Sequence, residues 1–540
     1  MDMKMRFKMA LLALAVGTEC FGAAGLPGDS LAADFRFFCD VLEATHPDPY
    51  SSFGGRPYFC LARDRMAYEI GKDSLSAADF CDLLNEFIVP LGDMHTFVQY
   101  PNSGNADIRY VQRISFDVLN DGLMVSGIAQ PHSKFLGSRL LSINGVPADS
   151  LAQRMLKVKP SENRFGNMQN LSMWGNQDVI LRKLGVDAND SVRYSLLTPE
   201  GDSVTVDLPI VKRESVADVE MARLERGLSL PEGNLEYRFL DKDENVMYMR
   251  LSSIMARENY RYCHENGWNN AASDISYYYQ AAGKEMPEDM ETALNGIPSF
   301  SEEFSKLLAD MKDKGADYLI IDMRGNGGGW TPITRPSLIM MYGDDYYCKD
   351  FEVRSIRRLS ELYLNKLNRT IDDLNRSWGS DFEKGDYTVM NEYEAADTAT
   401  LRQRMQGNAL TETPALLQEL DGAPLYRPKQ VFVITDPNTN SAAFHYAFYL
   451  WKMGATTVGV PSSQAPNTFM EITPFTLPYT GLTASVSNTM QVFFPAEHPM
   501  ARVLAPDIKI TAADYARHGL DGDTPVLMIL EMCGIYRVWR

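Results

Sequence analysis

The sequence predicts an α/β chain: a mixed sheet built from βαβ units, preceded by a helical N-terminal region and a small β-rich domain. Two observations carry the core. Asp317–Asp322 and Gln430–Thr435 are continuous apolar runs of the kind that form strands buried on both faces. Strand-like segments at 245–251, 317–322, 430–435 and 456–460 alternate with helix-like segments at 300–311 and 442–453, the order that gives a partly parallel sheet. A third observation sets the upstream part, where helical spacing over 31–90 gives way to short β-prone runs over 108–212.

The elements follow in order. Residues 1–24 read as a secretory signal: Lys4, Arg6 and Lys8, then an apolar stretch over 9–16, then the small residues Gly22-Ala23-Ala24. That stretch is too short for a membrane span, and no later segment offers the roughly 18 uncharged apolar residues a span needs. The expected product is exported, periplasmic or extracellular. In the helical region, 25–104, Phe35, Phe38, Val41 and Leu42 share one face, as do Phe80, Leu83, Leu84, Phe87 and Ile88. It ends at Leu91-Gly92-Asp93-Met94-His95-Thr96, where glycine breaks the helix and β-prone residues follow. The β-rich domain, 105–213, has runs near 122–126, 140–143, 192–197 and 204–208, separated by turn residues. The core is expected to fill 214–540, interrupted by two polar, helix-patterned insertions near 256–298 and 343–423.

Composition narrows the function. With 540 residues, 45% apolar and 23% charged, the chain buries sizeable cores and is neither disordered nor fibrous. Lys and Arg number 52 against 71 Asp and Glu, a net charge of −19 that disfavours phosphate backbones and anionic membranes as partners. Outside the signal stand Cys39, Cys60, Cys81, Cys263, Cys348 and Cys533, with no CxxC pair, so neither a zinc site nor a disulfide framework is indicated. Free thiols are expected, with at most one bridge among the first three.

Three motifs carry chemistry. Asp322-Met-Arg-Gly-Asn-Gly-Gly-Gly329 follows a buried strand at its carboxyl end, where glycines free backbone N–H groups to form an anion-binding nest. Trp330 stands where a dinucleotide fingerprint needs glycine, and the P-loop's Gly-Lys-Ser/Thr is missing, so nucleotide binding is not indicated. Asp436-Pro-Asn-Thr-Asn-Ser441 ends the next buried strand and opens a helix at a serine. Such a serine is either an N-cap or a nucleophile backed by its own helix N-terminus. His95 is one of seven histidines. Phe97, Trp330 and Phe444 flank these motifs and are candidates to line an apolar substrate pocket.

Taken in series, Asp322–Gly329, Asn440-Ser441-Ala-Ala, Gly459-Val-Pro-Ser, Leu477-Pro-Tyr and Ala505-Pro-Asp-Ile-Lys-Ile resemble the tail-specific (C-terminal processing) serine peptidase family. Gly137 to Pro147 resembles the strand, Asn-Gly turn and helix start of a PDZ-like domain. The core also resembles the interphotoreceptor retinoid-binding protein repeat, and the resemblance implies a crotonase-like, ClpP-like βαβ fold. It assigns Ser441 as nucleophile, with the N–H of Ala442 and that of Gly327 or Gly328 as oxyanion donors. One branch pairs the serine with a downstream lysine, but 460–469 holds none, and Lys452 lies on the serine's own helix. The other branch, similar to the tricorn core protease, takes a histidine from a motif like Leu91–Thr96. It implies His95 as general base and a glutamate, best Glu497 and alternatively Glu471, to orient it. His445, one turn after Ser441, is expected to pack or face solvent.

The expected function is an exported serine endopeptidase acting on polypeptide through an acyl-enzyme, with no metal or organic cofactor. The alternative is a catalytically inactive peptide- or lipophile-binding protein on the same fold.

Overall fold

The computed structural model describes residues 25–101, 110–188, 190–391 and 396–535. The signal at 1–24 lies outside them. No helix among the described residues is long and apolar enough to cross a membrane.

The centre is a six-stranded sheet in the order Tyr237–Phe239, Val246–Arg250, Tyr318–Asp322, Gln430–Thr435, Thr456–Gly459, Ile508–Lys509. The first strand is antiparallel to its neighbour and the rest run parallel. Alternation decides which face each residue serves. Met247, Met249, Leu319, Ile321, Val431 and Val433 join the core that holds helices Phe300–Lys314 and Ala442–Lys452. Val246, Tyr248, Ile320, Phe432 and Ile434 join the opposite core, with helix Thr524–Met532 and the β-rich region. Both faces are thus dry, as a parallel sheet requires.

The β-rich region forms a seven-stranded antiparallel sheet that includes Gly122–Ala129, Arg139–Ile143, Ser191–Leu197 and Ser203–Pro209. At the N-terminal end, Gly28–Thr45, Arg56–Ile70 and Ala77–Ile88 pack as helices. Their apolar faces close on Leu477, Leu482, Ala484 and Val486, from a long antiparallel pair, Thr468–Thr476 with Thr483–Val492.

That pair belongs to a third sheet, and here the sequence reading needs correction. The second insertion is not wholly helical. Its strands Arg354–Arg358 and Tyr387–Asn391 pair with each other, and the first also pairs with Thr483–Val492. The first of these strands, Arg-Ser-Ile-Arg-Arg, is half-buried throughout and carries three charges in five residues, so it shows none of the apolar alternation that marks a strand. Phe97–Val98 joins the same sheet, with Phe97 opposite Ser485. The first insertion is helical, Arg257–Glu265, Ala271–Ala281 and Met290–Asn295, around a small core of Tyr260, Ile275, Tyr279, Leu294 and Ile297. All six described cysteines are free thiols.

Candidate active site

The register of the central strands creates the site. Asp322 lies opposite Ile434, so the loops leaving the two strands emerge together at the carboxyl edge of the sheet. One loop is the glycine nest and the other leads to Ser441.

Ser441 takes φ 54° and ψ −125°, a conformation essentially reserved for glycine, which costs about 1–3 kcal/mol and needs its surroundings to hold it. Those surroundings are visible. The Ser441 N–H donates to Gln464 Oε1 at 2.5 Å. Asn440 N–H donates to Asn326 O at 3.0 Å, and Asn440 Oδ1 accepts from Ser462 Oγ at 2.8 Å and Ser463 Oγ at 3.1 Å. Asp436 Oδ1 ties the two loops by accepting from Gly325 N–H at 3.0 Å. Ser441 occupies the N-cap position of a helix whose first nine residues are buried, yet its side chain accepts no capping bond. The hydroxyl is therefore not spent on the helix, which separates it from an ordinary N-cap serine.

The nest presses directly on this turn. A Cβ on Gly328 would lie 2.6 Å from Ser441 Cβ and 3.0 Å from Ala442 N, and one on Gly329 would lie 2.0 Å from Ile254 O. Both residues have positive φ, 110° and 142°, so only glycine fits. Gly328 N–H donates to Asn326 Oδ1 at 2.9 Å and is already engaged. Gly327 is exposed. Ala442, the first helical residue, has no intrahelical acceptor for its N–H. Beneath the nest, Asp322 is buried. Burial alone would raise its carboxyl, but the charge and hydrogen bonds of Arg324 hold it below the usual range, with Arg250 at 3.5 Å adding to the effect. This ion pair, Arg324 Nη2 to Asp322 Oδ2 at 2.6 Å, fixes the strand end from which the glycines depart.

His95 sits on the loop that Gly92 turns with φ 58°. Its backbone N–H donates to Asp93 Oδ1 at 2.7 Å, and the next residue, Thr96, is anchored because its Oγ accepts from Ser487 N–H at 3.0 Å. His95 Nδ1 lies 3.8 Å from Asp93 Oδ1 and 3.9 Å from Glu162 Oε1. Nδ1 is buried without a hydrogen-bond partner, whereas the side chain as a whole is 26% exposed. Ser441 and His95 are not hydrogen-bonded to each other in this structure. They are linked through one short segment. Gln464, which holds the Ser441 N–H, precedes Ala465, whose N–H donates to Glu162 Oε2 at 2.6 Å. Arg502 adds a clamp, donating to Glu162 O at 2.5 Å and to Gly92 O at 3.5 Å.

The two carboxyls beside His95 are driven apart. Burial would raise Asp93, but His46, with Nε2 at 3.3 Å, the nearby His95 and the Thr96 hydroxyl hold it down at about 2. Glu162 is pushed up to about 8 by burial, against hydrogen bonds from Thr468 and Ala465, with the Asp93 charge adding to the rise. At neutral pH one carboxyl is charged and its neighbour is mostly protonated. Asp93, His95 and Glu162 also place one ligand atom each within 4.8 Å of one another, so this is the group among the described residues that could hold a metal ion. The hydrogen bonds that both carboxyls already accept account for the cluster without one.

The structure places both glutamates named from the sequence at the surface. Glu497 is exposed on the loop after Thr483–Val492, and its neighbour His498 stacks on Phe494 at 4.7 Å, beside the far end of the serine's helix. Glu471 is also exposed and faces Lys366 at 3.9 Å. The carboxylates at the imidazole are Asp93 and Glu162. Nothing in Pro160-Ser-Glu-Asn163 marks Glu162 locally; it arrives because Asn163 caps helix Arg164–Trp174 and donates to Ser462 O at 3.0 Å. Gln464 is equally unmarked and lies in the lysine-free stretch 460–469. Lys452 is at the opposite end of the helix from Ser441, facing Glu352 at 3.9 Å. His445 packs, with Nδ1 2.9 Å from Thr331 Oγ and Nε2 2.9 Å from Gln491 Oε1. Phe444 is 2% exposed and sits in the core.

Residues 292–337, which include the nest, match the sequence profile of Peptidase family S41. No curated protein matches the chain in sequence. Among solved structures, the chain is similar to mature CPAF complexed with lactacystin, at 16% identity and TM-score 0.53, covering 93% of this chain and 99% of that one. Mature CPAF alone gives 16% identity and TM-score 0.52, covering 95% and 99%. The chain is also similar to a photosystem II D1 C-terminal processing protease, at 14% identity and TM-score 0.36, covering 89% and 93%. The mixed α/β fold expected from the sequence is borne out. The chain's nest-bearing stretch thus resembles Peptidase family S41, and its overall fold resembles that of mature CPAF.

Proposed function

We propose that the chain is an exported serine endopeptidase in which Ser441 is the nucleophile, His95 the general base and the Asp93–Glu162 pair the group that holds the imidazole. The observation that carries this reading is the strained, uncapped Ser441 pressed against the glycine nest. The Ser441 hydroxyl attacks the scissile carbonyl while His95 Nε2 takes its proton and then delivers it to the leaving amine. Water repeats the sequence on the acyl-enzyme and regenerates the serine. The oxyanion falls to the N–H of Ala442 and that of Gly327, since Gly328 N–H is engaged. Ionised Asp93 favours the transient imidazolium, and Glu162 closes the other side of Nδ1. The β-rich region, 105–213, acts as a PDZ-like module for polypeptide, and residues 1–24 direct export.

The test is covalent labelling. The purified chain should react with a fluorophosphonate probe and hydrolyse casein, and Ser441→Ala should lose both. An unlabelled wild-type protein that binds peptides would favour the inactive binding protein instead.

A further inference from the structure

The first insertion grows out of the segment that flanks the nest. Ile254 N–H donates to Gly328 O at 2.9 Å, and Trp330 N–H donates to Ile254 O at 2.8 Å, so the backbone entering the insertion and the backbone leaving the nest are hydrogen-bonded side by side. Two rings of the insertion meet Trp330 there. Tyr262 lies 5.5 Å and Trp268 5.4 Å from it, centroid to centroid. Tyr262 is 38% and Trp268 47% exposed, an unusual outlay of aromatic surface beside a site that otherwise buries its apolar residues.

These rings are held in place. Trp268 N–H donates to Cys263 O at 3.0 Å. The helix that carries Tyr262 is pinned by Glu258, buried, which accepts from Ser301 N–H at 2.8 Å and Phe300 N–H at 3.0 Å. Arg261 joins this insertion to the second one through Glu412 at 3.1 Å. A rigid aromatic wall loses little conformational freedom on binding, the property that suits it to grip a flexible peptide.

We infer that Tyr262, Trp268 and Trp330 form a substrate subsite for an aromatic or large aliphatic side chain adjoining the scissile bond of a polypeptide, an inference that rests on the peptidase reading above. A carbonyl lodged at the nest brings the neighbouring residues of an extended peptide past Trp330, because the ring follows Gly329 directly in the chain. The first insertion thereby becomes a specificity element, and the enzyme selects apolar segments such as unfolded or newly exposed chain.

The experiment compares two peptides that differ only in Phe or Ala beside the cleaved bond. Wild-type enzyme should favour the Phe peptide in kcat/KM, and Trp268→Ala should lower the Phe-to-Ala ratio about tenfold. Tyr262→Ala should lower it in the same direction. Fluorophosphonate labelling of the same proteins reports on the nucleophile independently. A ratio unmoved by either variant, in enzyme that still becomes labelled, overturns the subsite. If the wild-type chain is not labelled, the peptidase reading fails by itself. Calorimetric binding of the two peptides to the unmodified chain then decides the subsite: preference for Phe that vanishes in Trp268→Ala supports it, and equal binding overturns it.

Discussion

A single residue pair shows how this site is paid for in conformational strain. Ser441 adopts a glycine-like turn and Gly328 fills the space beside it, so a side chain added at Gly328 has nowhere to go. Gly328→Ala should destabilise the protein by at least about 1–3 kcal/mol in urea unfolding, from the positive φ and the clash with Ser441 together. Any correctly folded fraction should label more slowly with fluorophosphonate. Glu162 offers a second test at this scale. Its carboxyl, pushed up to about 8 by burial, ionises within reach of His95 Nδ1. The kcat/KM profile should therefore contain a feature near pH 8 that Glu162→Gln removes, and a profile unchanged by that substitution would leave Glu162 with no electrostatic part in the reaction.

Among the elements, the insertions do more than decorate the sheet. Glu258 fixes the first by accepting four hydrogen bonds, from Ser299 Oγ, Phe300 N–H, Ser301 N–H and Ser301 Oγ. Glu258→Ala leaves those buried donors unpaired and should cost about 1–3 kcal/mol per orphaned group before relaxation. Hydrogen exchange should show the loss concentrated over 256–298. The second insertion supplies strands to the sheet that also receives Phe97–Val98, so it helps to set the loop carrying His95. Its polar sequence reads as helix because charge spacing on a half-exposed antiparallel strand is ambiguous; pairing partners more than 90 positions away decide the matter, as Arg354 opposite Val492 does.

For the molecule as a whole, buried carboxyls set the response to pH. Glu162, Asp34 and Asp523 are all raised by burial, so the folded state retains protons that the unfolded chain has already released. The sign follows: stability falls as pH rises above the ordinary carboxyl range, through about 8 for Glu162. Asp93 and Asp322 are lowered, and their contribution is lost as pH falls below that range. Thermal unfolding should give a maximum at mildly acidic pH, and Glu162→Gln should reduce the decline in Tm between about pH 5 and 8. An equal decline in wild type and variant would remove Glu162 from this balance.

Read alone, the amino-acid order indicated the strands at 317–322 and 430–435, the nest and the turn into Ser441, because buried strands, glycine clusters and helix starts are local patterns; His95 stood out only through the family resemblance. It pointed to Glu497, where the folded chain puts an exposed side chain, and it passed over Glu162 and Gln464. Those two are drawn to the site by Asn163, Ala465 and Arg502, contacts between segments hundreds of positions apart. A carboxyl becomes a partner for an imidazole through proximity and burial, and both are properties of the packed molecule.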